Sequence, residues 1–439
     1  MIVMKFGGTS VGNAERIRHA ANIVKSHIKK NPVVIVSAVT KMTDALIKLG
    51  KECAEGKGNE TLEHVKKVHY EILEQLEIDK NLLNEDIKEL EKLVNKTKSN
   101  KNIDEKILDY FQSFGERMSS KIVAEQLNKI DIDAYAFNAW ELGFLTDAEF
   151  GSAEPLEITY LNLNKNVKKL KVMPVITGFI GKTEDGEITT LGRGGSDYTA
   201  AVIGAAINAD EIQIWTDVNG IMSADPKIVG NAKTLDKVSF AEASELAYFG
   251  ARVLHPKTIL PAMRKSIPVK VLNSFNPKGK GTTILNKAGN SRKVKAIACK
   301  KGITLINVDS TRMLGAYGFL ARVFDIFDEY RKSVDVVSTS EVSVSLTIDN
   351  EENITNITEE LKEISHVEVV RNKAIICVVG EGMRHTPGIA GRTFTALGKG
   401  KINVEMISQG ASEINITFIV DGKDAEKAVK VLHNEYFGG

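Results

Sequence analysis

The sequence predicts an α/β fold with a doubly wound, mostly parallel sheet over its first two-thirds, and a pair of smaller α+β units after it. Three observations lead there. Short β-branched runs alternate with amphipathic segments up to about residue 290, the order produced by right-handed parallel crossovers. Glycine-rich turns follow extended segments at Gly7-Gly8 and at Gly192–Gly195, where an open α/β sheet places its ligands. Beyond the polar stretch Asn286–Lys293, one order of elements occurs twice.

Taken in order, Ile2–Phe6 reads as a buried strand and Gly7-Gly8-Thr9-Ser10 as the turn after it. Ala14–His27 has Ile17, Ala20, Ala21 and Val24 at helical spacing, and Pro32–Val39 is a second, β-branched strand. From Met42 to Asn128 the chain reads as helical and is rich in lysine and glutamate. Val65, Val68, Ile72, Leu73 and Leu76 mark one stripe there, so these helices are expected outside the sheet with a mostly solvated face. Tyr110–Leu127 is a better-defined amphipathic helix carrying Gly115-Glu116-Arg117. Strands are expected at Asp133–Phe137, Val172–Gly178, Glu211–Thr216 and Pro268–Val271, with a hairpin turn at Glu184-Asp185-Gly186. Helices are expected at Asp197–Ile207, Phe240–Tyr248 and His255–Arg264.

In the last third, Ile303–Val308 reads as a strand, Gly318–Tyr330 as a helix, Val334–Ser338 and Val342–Ile348 as strands, and Ile354–Ile364 as a helix. Gly318, Arg322 and Phe324 line up with Gly388, Arg392 and Phe394, and Val334–Ser338 with Val404–Ser408, about 70 residues apart. Two copies of a β-α-β-β-α-β unit are implied. The second ends soon after its last helix, Asp424–Tyr436, so its remaining edge strand is either missing or supplied by the other copy. The expected division is 1–290, 300–371 and 372–439.

Composition limits the function classes. Lysine plus arginine number 58 against 57 for aspartate plus glutamate, a balance that offers no general attraction to nucleic acid or to an anionic membrane. Three scattered cysteines, Cys53, Cys299 and Cys377, make neither a metal spacing nor a disulfide framework and suit a cytoplasmic setting. The N-terminus lacks a signal-peptide pattern, and the longest apolar runs fall short of a membrane span.

The chemistry-bearing motifs are four. Lys5-Phe-Gly-Gly-Thr-Ser10 puts an ammonium, two glycines and two hydroxyls at a strand end, which is a phosphate cradle in kind, although a plain glycine turn beside a surface lysine has the same pattern. Gly192–Asp197 has three glycines among an arginine, a hydroxyl and a carboxylate. It reads either as a capped turn or as an anion site at a helix start. Gly115-Glu116-Arg117 reads either as a solvated charge pair with a packing glycine or as a functional carboxylate. The loop from Thr216-Asp217 through Asp225-Pro226-Lys227 opens from a strand end.

Together, Lys5–Val11, Gly115–Arg117, Thr190–Asp197 and Trp215–Val218 with Asp225-Pro226 resemble aspartate kinase, of the amino acid kinase superfamily, over essentially the whole chain and in the right order. The terminal repeats resemble tandem ACT domains. The resemblance implies a carbamate kinase-like αβα sandwich followed by two ferredoxin-like ACT domains, and a monofunctional enzyme that moves the ATP γ-phosphoryl group to the β-carboxylate of L-aspartate. It implies Lys5 and Asp197 as catalytic groups, Asp197 holding lysine and metal-bound groups in register. Ser37, Thr43, Glu116, Arg193 and Ser196 would bind aspartate, Glu116 taking the ammonium and Arg193 the α-carboxylate. Gly7, Gly8, Ser10, Thr216, Asp217, Met222, Lys227 and Arg252 would contact ATP, which is expected with Mg²⁺ held mostly by phosphates and water.

For the regulatory half, the resemblance is to the lysine-inhibited type. It implies an effector site at Met313, Gly318, Phe319, Leu320, Ser333, Val334, Asp335, Ser340 and Glu341, with threonine as the alternative effector, and a homodimer formed through the ACT domains. Met222 and Lys227 stand where relatives often carry tyrosine and arginine, and Gly315 where they often carry histidine. The competing readings are a glutamate kinase or nucleoside monophosphate kinase on the same fold, and a catalytically inactive amino-acid sensor. The retention of Lys5, Glu116, Arg193 and Asp197 speaks against the sensor.

Overall fold

The strand expected at the N-terminus forms as β1 (Ile2–Phe6), and all five of its side chains are buried. That fits an apolar run covered on both faces of a parallel sheet. The computed structural model describes residues 1–250, 254–289, 292–310 and 317–438. In chain order β1 leads to α1 (Ala14–Ser26), β2 (Pro32–Val36), and the helices α2 (Met42–Ala54), α3 (Asn59–Leu76), α4 (Asn84–Asn100) and α5 (Glu105–Asn128). There follow β3 (Ala134–Phe137), α6 (Glu157–Val167), β4 (Met173–Thr177), the hairpin β5 (Ile180–Lys182) and β6 (Ile188–Thr190), α7 (Gly195–Ile207) and β7 (Ile212–Thr216). Then come β8 (Lys237–Ser239), α8 (Phe240–Tyr248), α9 (Leu260–Arg264), β9 (Val269–Asn273) and β10 (Thr282–Leu285).

Eight of these strands make one sheet in the order β3-β4-β2-β1-β7-β9-β10-β8. Its pairs are parallel except β9–β10. Register brings the carboxyl ends into line: Phe6 lies opposite Val36 and Trp215, and Val36 opposite Thr177. The loops after β1, β2, β4 and β7 therefore leave from one edge, and β1 lies where the strand order turns back on itself.

The stripe, which falls on α3, lies inward, as expected, with Val65, Ile72, Leu73 and Leu76 in the same apolar core as β1 and β2. The solvated face expected of these helices is only partly so. Arg117 is buried and holds α4 to α5, its guanidinium lying 3.0 Å from Asp86 and 2.5 Å from Glu89, while Lys121 takes the other oxygen of Asp86 at 2.6 Å. The reading of Glu116-Arg117 as a solvated charge pair is corrected by this burial.

The chain divides into two compact units. One contains Met1–Ile221, Asp236–Phe240 and Val253–Ala288, and the other Met222–Leu235, Ala241–Arg252 and Gly289–Gly439. The second unit thus takes in two segments that precede residue 290. Its elements are β11 (Ala296–Asp309), α10 (Phe319–Glu329), β12 (Val337–Thr339), β13 (Ser343–Ile348), α11 (Ile354–Ile364), β14 (His366–Val379), α12 (Ile389–Lys399), β15 (Met406–Ser408), β16 (Asn415–Asp421) and α13 (Ala425–Phe437).

They form one antiparallel sheet in the order β12-β13-β11-β14-β16-β15. The edge strand that sequence left open is the first part of β11. Ala296–Lys301 pairs with Ala374–Val379 of the second repeat, while Thr304–Asp309 pairs with β13 of the first. The expected strand at Ile303–Val308 is therefore longer than periodicity suggested, because two repeats use its two halves.

Removing Arg117 leaves Asp86 buried with less compensation. Arg117→Ala is expected to lower stability by about 3 kcal/mol in urea unfolding of the full chain, with Lys121 limiting the loss; an unchanged midpoint would show the network to be solvated after all.

Candidate active site

At the aligned strand ends lies a cleft of about 860 Å³, lined by the turn after β1, the turn after β2, the inner face of α5 and the glycine-rich start of α7. Each wall is set by local sequence. Gly115 allows α5 to press on the turn after β2, since a Cβ there would stand 2.7 Å from Cβ of Ala38. That approach brings Glu116 Oε1 within 3.1 Å of the Ala38 N–H, which it accepts. Gly194, in the left-handed region at φ 74°, caps α7, and a Cβ on it would meet Thr258 at 2.9 Å. The helix thereby starts at the cleft, and the N–H groups of Ser196 and Asp197, in its first turn, have no carbonyl within the helix to bond.

Lys5, near the end of β1 and 8% exposed, sits with Nζ 2.6 Å from Asp197 Oδ1. This ion pair joins the central strand to the start of α7. Glu116 is buried, and its Oε2 has no hydrogen-bond partner. Desolvation pushes its carboxyl up to about 8, against the Ala38 N–H and the charge of Lys5, which both pull it down. Arg193 is exposed at the cleft wall and has no ion pair among the described residues. Burial, with the charges of Arg193 and Lys257, holds nearby His255 below the usual imidazole range.

Of the residues expected to bind aspartate, Ser37, Thr43, Glu116, Arg193 and Ser196 all line this one cleft. Lys5, Gly7, Gly8, Thr216 and Asp217 of the expected nucleotide set do so too. Asp197 borders it through Lys5. The resemblance implied phosphate contacts from the amides of Gly7, Gly8 and Ser10, and two of these need correction. The Gly7 N–H donates to Trp215 O at 3.1 Å and the Ser10 N–H to Gly7 O at 2.8 Å, so neither is free for a phosphate oxygen. Ser10 is buried, and its hydroxyl is engaged with Ser274 at 2.8 Å. Met222 and Lys227 fall in the segment that clusters with the second unit, and Arg252 lies outside the described residues.

Sequence reasoning missed Asp109, Gly151 and Gln112, and gave Thr190, though part of the glycine-rich motif, no place in the site. Gly151, Thr190 and Gln112 line the cleft, and Asp109 is tied to all three. Asp109 and Glu116 are seven residues apart, two helical turns, and that spacing was a usable signal.

In the second unit, Gly318 caps α10 and Phe319 and Leu320 open it. Asp335 is nearly buried. Its Oδ1 accepts from the Tyr248 hydroxyl at 2.9 Å and from Lys300 Nζ at 3.0 Å, while Oδ2 is buried without a partner. Ser340 is spent locally on Ser343, 2.7 Å away, and Ser333 and Glu341 are exposed. Val334 is part-buried, and Met313 lies outside the described residues.

A buried acid with a raised pKa contributes stability below the unfolded value, here about 4.5, and loses it as pH rises to about 8. The wild-type chain is expected to lose stability across that window, and Glu116→Gln to follow a flatter curve. Thermal melts from pH 5 to pH 8.5 check this, and parallel curves for the two proteins contradict it.

Comparison with known proteins adds family context. The profile described as Amino acid kinase family matches residues 1–273, and one described as ACT domain matches residues 376–436. The chain is 40% identical to chloroplastic aspartokinase 1 of Arabidopsis thaliana, over 99% of this chain and 80% of that one. It is 37% identical to lysine-sensitive aspartokinase 3 of Escherichia coli, over 100% of this chain and 99% of that one. It superposes on the E. coli aspartokinase III crystal structure in complex with aspartate and ADP with a TM-score of 0.85, at 36% identity over the full length of both chains. The same protein with lysine and aspartate gives 0.84 at 36% identity, covering 100% of this chain and 99% of that one. No described helix is long and apolar enough to cross a membrane.

Proposed function

The chain belongs to the amino acid kinase family and, within it, to the aspartokinases; on that premise we propose that the cleft at the strand ends transfers the γ-phosphoryl group of ATP to the β-carboxylate of L-aspartate. The observation that carries the residue assignment is the unpartnered buried oxygen of Glu116, facing a cleft that also holds Lys5 and Arg193. A buried carboxyl with one satisfied and one free oxygen is a ready acceptor for an ammonium. Arg193 supplies a planar donor pair for the α-carboxylate. Ser37 and Thr43 add hydroxyls from the turn after β2.

With the substrate so held, the β-carboxylate points toward Lys5. One of its oxygens attacks the γ-phosphorus, the bond from that phosphorus to the β,γ-bridging oxygen breaks, and ADP leaves with the electron pair. The acceptor is already an anion, so no base is needed. The protein's work is positioning and charge neutralisation. Lys5 meets the phosphoryl oxygens, Asp197 keeps Lys5 in place, and the first-turn amides of Ser196 and Asp197 face the same charge. ATP is expected with Mg²⁺. The nearest carboxylates on the nucleotide side are Asp197, already engaged by Lys5, and Asp217, exposed at the end of β7, which suits an ion held mainly by phosphates and water.

Regulation by lysine is proposed at Asp335, whose Oδ2 has no partner, together with the start of α10 at Gly318–Leu320. Lys300 already places an ammonium on Oδ1. An effector amine would therefore take Oδ2 or displace Lys300. Self-association through the regulatory sheet and a cytoplasmic setting complete the reading.

Trapping the acyl phosphate with hydroxylamine should give a hydroxamate from ATP and aspartate and none from glutamate; the reverse would refute the substrate assignment. Lys5→Ala and Asp197→Ala are each expected to cut kcat by about a hundredfold or more; Asp197→Ala, which leaves the Lys5 ammonium buried without its partner, also lowers the melting temperature, so activity is read where each variant stays folded. Because binding of the substrate ammonium favours ionised Glu116, aspartate binding near pH 7 should release protons, seen as a buffer-dependent heat in calorimetry. Asp335→Asn should weaken lysine inhibition by about tenfold; an unchanged inhibition curve would remove Asp335 from the effector site.

A further inference from the structure

Asp109, two helical turns before Glu116 on α5, is fully buried, yet no cation pairs with it among the described residues. Its partners are donors of another kind. Oδ2 accepts the N–H of Thr190 at 2.8 Å and that of Gly151 at 2.9 Å, and Oδ1 accepts the Thr190 hydroxyl at 2.7 Å. Gln112 Nε2 approaches Oδ1 at 3.4 Å. A buried carboxylate spent on so many neutral donors anchors backbone rather than balancing charge.

What it anchors is the turn that carries Arg193. Thr190 ends β6, and the glycine-rich turn begins two residues later. Gly151 braces that turn from the other side, since its carbonyl would lie 3.1 Å from a Cβ on Gly192. The same helix, α5, presents Glu116 two turns further along. One rigid element therefore touches both ends of the amino-acid site: the ammonium end directly and the carboxylate end through Asp109.

We infer that Asp109 is a positioning residue, fixing the Thr190–Arg193 turn to α5 so that Arg193 and Glu116 keep the spacing of an α-amino acid's carboxylate and ammonium. The inference rests on the assignment of those two residues to aspartate. It gives α5 the part of a ruler: the amino-acid site is set by a helix and two hydrogen-bonded backbone amides, not by the loop alone. A displacement of about 1 Å at such a site costs rate and affinity out of proportion to its size.

Steady-state kinetics of the full chain tests it. Asp109→Ala should raise KM for aspartate by about tenfold or more, while KM for ATP changes by less than about twofold. Asp109→Asn should restore most of the loss, because its amide oxygen still accepts the two backbone N–H groups and its amide nitrogen donates to the Thr190 hydroxyl. Equal rises in both KM values, a fall in kcat alone, or an Asn variant no better than Ala would overturn the inference. If Asp109→Ala does not fold, Thr190→Val removes only the hydroxyl bond and should raise KM for aspartate selectively; no change there counts against the inference. Arg193→Ala separates the two readings. If it leaves KM for aspartate unchanged, the site assignment falls and this inference with it. If it raises that KM and Asp109→Ala does not, only the inference falls.

Discussion

The ion pair between Lys5 and Asp197 is the constraint on which the rest of the first unit depends. An ammonium this far buried is costly unless a carboxylate meets it. Asp197 does so at 2.6 Å from the first turn of a helix. For that contact to form, the strand bearing Lys5 must sit inside the sheet, and the helix bearing Asp197 must start level with the strand's end. The order β2-β1-β7 and the glycines at 192, 194 and 195 meet both conditions. Lys5 itself lines the cleft.

Helix α5 shows how two adjacent charged residues take opposite parts. Glu116 faces the cleft with a free oxygen, while Arg117 faces away and ties α5 to α4 through Asp86 and Glu89. Successive residues on a helix point about 100° apart, so one face lines the cleft and the other serves the core. Gly115 is what permits this, because any side chain there would push α5 off Ala38.

Much of this was legible in the sequence for definite reasons. β-Branched runs such as Val33–Val36 and the spacing of Ile17, Ala20, Ala21 and Val24 gave strand and helix by period alone. The glycine turns announced where a cleft would open, and the structure gathers Lys5, Ser37, Thr43, Glu116, Arg193 and Ser196 around it. Part of what escaped has one cause: side-chain partners distant in sequence leave no local pattern. Arg117 looked like a solvated charge because Asp86 and Glu89 are about thirty residues away on another helix. Asp109 meets Thr190 across 81 positions. Ser10 and Gly7 were misjudged because sequence cannot say which amides the strand ends have already used. The second repeat's last strand was hidden for the same reason, being located before the first repeat begins.

That displaced strand has a consequence for how the regulatory half is made. Ala296–Lys301 is synthesised first but pairs with Ala374–Val379, which emerges only after the whole first repeat. The first repeat can close its own sheet early through β13 and the later part of β11. The second must wait for both β14 and β16, and its leading strand meanwhile has its backbone groups open to pairing with any other chain. Long-range closure of this kind slows folding. The first repeat is thus nested inside the second, which can close its sheet only after the first has been made.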